Sequence, residues 1–133
     1  MAKWCDEGEY DALEKYLKTQ TLYLGLYKVP TSEPGEAAVL EDLTEPDADD
    51  GYARIALAPA NWTISETAPT QAVQPQKIFT CAGTAWGNTY GYFITNVETG
   101  TEGKLIAVEQ FSDGPYNVTD GLPVKVTPKV TCN

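Results

Sequence analysis

A chain of 133 residues, 42% of them hydrophobic, is one domain of ordinary size with enough apolar material for a core. Its 19 acidic residues outnumber 9 basic ones and leave a formal charge of −10, which argues against direct nucleic-acid binding, because phosphate backbones demand basic residues. It has no histidine, which removes the commonest general base and metal ligand and any Ser-His or Cys-His nucleophile pair.

The first twenty residues read as a helix. Asp6 is placed to cap it, with Glu9 three residues later as in a capping box. Tyr10, Leu13 and Leu17 follow at i, i+3 and i+7 and form one apolar stripe, and Glu14 stands four residues before Lys18 as a supporting pair. A short terminal helix has two uses: to lie on its own domain, or to dock as an arm on a neighbouring subunit. Residues 1–20 are therefore set apart as a helical arm from a β domain over 21–133.

After Gln20 the pattern alternates. TLYLGLY (21–27) is the first strand, and it is apolar on both faces: Leu22, Leu24 and Leu26 on one, Tyr23, Gly25 and Tyr27 on the other. A half-buried strand needs only one apolar face, so the tyrosine face calls for a cover. Residues 28–51 form a long excursion with three prolines and two glycines, expected to be an exposed arm; within it AAVLEDL could make one helical turn, which Pro46 would end. Residues 1–50 carry 13 acids and 4 lysines, a balance of −9, whereas residues 51–133 carry 6 acids and 5 bases, a balance of −1. Such a segment suits solubility or docking onto a basic neighbour.

Further strands are expected at 52–58 (YARIALA), 62–65 (WTIS), 73–81 (VQPQKIFTC), 88–96 (NTYGYFITN), 104–111 (KLIAVEQF), 115–118 (PYNV) and 123–132 (PVKVTPKVTC). TAPTQA is expected to be a loop between the strands at 62–65 and 73–81, and Pro128 to favour an edge or a bulge. About eight strands at short spacing, without βαβ alternation, predict an all-β antiparallel sandwich or barrel.

Neither metal nor cofactor chemistry stands out. Cys5, Cys81 and Cys132 are odd in number and lack metal-ligand spacing, so reduced thiols in a cytosolic setting are expected, with a Cys81–Cys132 bridge as the alternative. The polar start MAKWCDEGEYD does not resemble a secretory signal, and no apolar run approaches the ~18 residues of a membrane helix. DADDG (47–51) is similar to a calcium loop but has glycine where an oxygen ligand would stand, so a solvated acidic turn is expected. GTAWGN precedes a strand, whereas phosphate loops open a helix; Gly83 and Gly87 are expected in turns, with Trp86 packed between strands. Glu109 is expected to pair with a lysine or Arg54 instead of acting catalytically, and Arg54, the one arginine, to form a structural ion pair or bond a loop carbonyl. The aromatics are numerous for this size; most should fill the core, and the rest should line a surface for subunit contact or, alternatively, sugar stacking. No carboxylate pair is placed across a cleft by the pattern, and no enzyme is expected.

Taken in order, a short helix, LYLGLYKVP, GYARIAL, WTIS, GNTYGYFITN, GKLIAVEQF and GLPVKVTPKVT resemble a group of small structural proteins of tailed-bacteriophage virions, over about residues 9–131. LYLGLY and GYAR are the most specific pieces. Within that group the chain is similar to the jelly-roll cement proteins that decorate capsids. The resemblance implies a virion protein on the capsid surface, assembled in the host cytoplasm, that binds the major capsid protein and neighbouring copies of itself. Its contact candidates are Tyr10, Leu13, Leu17, Tyr23, Tyr27, Tyr52 and Arg54, and Tyr23 and Tyr27 would be covered by a second sheet or a lattice neighbour. A tail, baseplate or fibre-connecting protein and a host-glycan-binding module are the competing expectations.

Overall fold

The structure is a computed structural model that describes residues 2–66 and 69–132. Among these are one α-helix, α1 (Asp6–Leu17), and eleven strands: β1 (Leu22–Tyr27), β2 (Ile55–Leu57), β3 (Thr63–Ser65), β4 (Thr70–Val73), β5 (Lys77–Thr80), β6 (Gly87–Thr89), β7 (Gly91–Thr95), β8 (Leu105–Gln110), β9 (Tyr116–Val118), β10 (Pro123–Val126) and β11 (Lys129–Cys132). All strand pairs are antiparallel, as the short strand spacing predicts.

The strand count rises above eight because the expected strands 88–96 and 123–132 are each broken in two and β4 forms mostly where a loop is expected. Pro75 lies between β4 and β5, and Pro128 between β10 and β11, each lacking the N–H that a ladder needs. The ladders nevertheless continue through the breaks. One sheet has the order β2-β1-β7-β8, and backbone bonds from Tyr90 to Tyr27 O (2.9 Å) and from Phe111 to Tyr90 O (2.9 Å) carry it on to the β6–β9 pair. In the second layer, β11-β4-β3 and β10-β5 are joined by Gln74 N donating to Pro128 O at 3.0 Å. Within β4, Gln71 and Ala72 pair on both sides and Thr70 pairs with Cys132, which corrects the expected TAPTQA loop; Thr67 and Ala68 of that stretch lie outside the described residues.

The main core lies between the layers. Leu22, Leu24, Leu26 and Ile94 from the first meet Ala72, Phe79, Val124 and Val126 from the second, with Trp62 and Trp86 beside them. α1 packs on β3 and β4 and sends Leu13 and Leu17 into this core. The helix thus lies on its own domain, the first of its two expected uses. Its start differs from the capping box: Cys5 is the N-cap and Asp6 the first helical residue, without a side-chain cap bond, although Asp6, Glu7 and Glu9 still place negative charge at the positive end of the helix dipole. The exposed helical ion pair is Lys15 with Asp11, at 2.8 Å. All three cysteines are free, Cys81 buried and Cys5 exposed.

The tyrosine face of β1 is covered by the chain itself. Residues 28–51 leave β1 and return to it, closed at the neck by Lys28 N to Thr44 O (2.6 Å) and Thr44 N to Val29 O (3.0 Å). In between, the 3-10 turn Leu40–Asp42 lowers Leu40 and Leu43 onto Tyr27 and Phe93, forming a second core on the back of the sheet. This corrects the expected exposed arm: an acidic segment with exposed Glu41 and Asp42 buries the two leucines that flank them. Two glycines make room there. A Cβ on Gly25 would overlap the Phe93 ring and stand 2.8 Å from the Tyr52 hydroxyl, and one on Gly91 would overlap Glu109 O and the Tyr27 ring. No L side chain fits either place.

Candidate functional site

Arg54, just before β2, is the hub that fastens the cover to the sheet. Its Nε and Nη2 donate to the two carboxylate oxygens of Glu45 at 2.8 and 2.9 Å; Nη1 and Nη2 also donate to Val97 O (3.0 Å) and Gly100 O (2.8 Å). The guanidinium lies 5.4 Å from the centre of the Phe93 ring, and the side chain is 3% exposed. Both expected jobs, an ion pair and a bond to a loop carbonyl, are performed by this one residue, because a planar five-donor fork reaches a carboxylate and two carbonyls together. Tyr52 joins the hub: its hydroxyl donates to Glu45 Oε1 at 2.6 Å and accepts from Leu26 N at 3.0 Å. Burial first, and then the Glu45 charge, push the Tyr52 hydroxyl far above the usual tyrosine range. Beside the hub is a cavity of about 310 Å³, with Pro46, Ala48 and Ala53 among its apolar walls and Glu98 and Thr99 at the side.

The contact candidates are mostly spent inside the molecule. Leu17 and Tyr27 have 1% and 0% of their surface exposed; Leu13 and Tyr52 are buried too, and Arg54 is enclosed as described. These five are corrected from partner contacts to internal contacts, because α1 and the 28–51 segment fold back on their own sheets. Tyr10 and Tyr23 are half-buried. Glu109 pairs with neither a lysine nor Arg54: it lies at the surface of β8 and accepts the Tyr92 hydroxyl at 2.6 Å. Lys129 N donates to the same hydroxyl at 3.3 Å, so Tyr92 ties the first layer to β11.

The acidic DADDG turn is a fastening as well. Asp47 Oδ1 caps it by accepting from Asp49 N (2.9 Å), Asp50 Oδ1 accepts from Thr84 N (3.0 Å), and Asp50 O accepts from the Trp86 indole (3.0 Å). The Asp47 and Asp50 carboxylates therefore face backbone N–H groups; among the described residues no group of three or more metal-ligating side chains occurs. Gly83, at φ 128°, lies in a bend as expected, whereas Gly87, at φ 80°, opens β6 and pairs with Val118; Trp86 is buried.

What remains on the outside is different from what the pattern singles out. Trp4 is 65% exposed, Val39 55% and Ile78 52%, with Val29, Leu122 and Tyr16 also in water. Trp4 precedes the helical stripe and falls in no periodic pattern, so only the packing reveals it as a surface aromatic. The cover leucines, Leu40 and Leu43, carried one readable signal, an i, i+3 spacing inside AAVLEDL. A second cleft, of about 410 Å³, separates Gly35–Ala38 of the cover from Leu105–Val108 of β8. Among the described residues no helix is long and apolar enough to cross a membrane. Comparison with protein-family models, curated proteins and solved structures gave no match.

Proposed function

We propose that this chain is a structural protein of a tailed-bacteriophage virion, a capsid decoration protein that binds the shell of major capsid protein and stabilises it. Two kinds of support bear on this reading. The stretches that resemble such proteins build both layers: LYLGLY, RIAL, YGYFIT and KLIAVEQ supply β1, β2, β7 and β8 of one sheet, and WTIS and GLPVKVTPKVT supply β3, β10 and β11 of the other layer. The observation that carries the reading is that the body covers both faces of the central strands β1 and β7 internally and still leaves Trp4, Val29, Val39, Ile78 and Leu122 in water. A closed β body keeps its shape under load, and apolar side chains left outside it favour contact by about 25 cal/mol per Å² removed from water. Weak contacts of this kind become firm when many copies engage one shell.

The test is direct. The purified chain, mixed with expanded capsids of the parent phage, sediments with them and raises their melting temperature. A chain that stays in the supernatant at micromolar concentration and leaves capsid melting unchanged defeats the reading.

A further inference from the structure

β8 ends the order β2-β1-β7-β8, and among the described residues β7 is its one paired neighbour. An antiparallel strand points alternate N–H and C=O groups away from its partner, so this edge offers unpaired backbone to a further strand. The other edge strands are shorter, four residues at most. β2 and β3 are three residues long, as is β9, while β10 begins with Pro123 and Pro128 stands before β11. β8 has six residues, LIAVEQ, without proline, and its register with β7 is irregular only opposite Ile94 and Thr95. An edge of this length and apolarity without such protection is a docking edge or an aggregation hazard.

The cover segment leaves this edge accessible. It bonds to β8 through the Gln110 amide, which donates to Thr31 O at 3.1 Å, and its Leu40 and Leu43 pack with Leu105 and Val108 on the back face, while Gly35–Ala38 stand off across the 410 Å³ cleft. Apart from Gly35 and its two chain neighbours, no residue comes within 4 Å of the place a Gly35 Cβ would occupy. The facing walls are the apolar stretch Leu105–Val108 and the Gly35–Ala38 turn with exposed Glu36, and exposed Glu33 and Glu109 flank them. Residues 28–51 contain eight acids and one lysine. A second copy would bring a second acidic cover to this edge, so charge favours a basic occupant.

We infer that β8 is a strand-addition site: an extended basic segment of a partner chain pairs with Leu105–Gln110 as a fifth strand, with its lysine or arginine side chains toward Glu36 and its neighbours. Main-chain bonds supply the affinity and the acidic wall the selectivity. The inference deepens the reading of the chain as a docking protein by naming the chemistry of the contact.

The probes are two capped six-residue peptides, one alternating lysine with valine and one alternating glutamate with valine. Hydrogen exchange and amide NMR shifts of the full chain are followed as each is added. The lysine peptide should protect amides within 105–110 and shift residues 35–38, and the glutamate peptide should do neither. Glu36→Lys, a change at an exposed position, should weaken the lysine peptide about two- to fivefold, the size of one surface ion pair, and raised salt should do the same. Equal response to the two peptides, no response at millimolar peptide, or protection of β8 that grows with protein concentration alone each overturns the inference, the last in favour of a second copy. The capsid reading is separable: engagement of β8 by a chain that does not sediment with capsids upholds the edge and defeats the capsid. Capsid binding that leaves β8 exchange unchanged does the reverse.

Discussion

Replacing Leu40 with alanine tests whether the acidic 28–51 segment is part of the folded body. Leu40 is 2% exposed and packs with Leu43 against Tyr27 and Phe93. Burial of this completeness places the change in the range of about 2–5 kcal/mol for Leu→Ala in a core. The segment carries exposed residues on either side of Leu40 and can settle into part of the space, which puts the expected loss near the low end, about 2–3 kcal/mol. For a domain of this size about 1 kcal/mol corresponds to roughly 4 °C, so the midpoint should fall by about 8–12 °C. Val39→Ala, one residue away and 55% exposed, is the matched control and should stay within about 0.5 kcal/mol. Urea and thermal unfolding followed by circular dichroism measure both. Equal effects of the two substitutions would refute the claim that this segment closes the back of the sheet.

Gly25→Ala places a methyl group against Phe93 and the Tyr52 hydroxyl and should cost about 1–3 kcal/mol in a urea titration, against the usual gain from removing glycine from a strand. Arg54→Lys keeps the charge but loses the two-oxygen grip on Glu45 and at least one carbonyl bond, so a loss of about 1–3 kcal/mol is expected with faster amide exchange near Val97 and Gly100; an unchanged urea midpoint would remove Arg54 as the fastening. Burial pushes the Tyr27 hydroxyl up to about 12, with Glu33 and Glu109 adding to it, and burial raises Tyr92 likewise. A raised folded-state value means that the native chain keeps a proton which the unfolded chain gives up. Stability is therefore intact below pH ~10, where unfolded tyrosine is neutral, and declines as pH rises from there toward 12, which urea midpoints across that window and tyrosinate absorbance will record.

Local pattern decides much of this molecule. Alternation is a property of neighbouring residues, so β1, β7 and β8 could be read from LYLGLY, GYFIT and LIAVEQ, and the i, i+3, i+7 stripe of α1 likewise. The role of Arg54 was legible because its fork chemistry holds in any surroundings. Other features depend on partners far along the chain. Whether Leu13 and Leu17 meet a neighbour or their own β3–β4 face, and whether Leu40 and Leu43 hang in water or cap Tyr27, turn on where two segments fold back, and an acidic composition points the wrong way for the second. Strand order is equally non-local: nothing in LIAVEQ tells whether it is central or at an edge, because that depends on pairing with β7 and on what fails to pair on its other side. Sequence alone settled most of the residues that make strands and helix, β4 excepted; long-range packing settled which of their faces the chain keeps for itself.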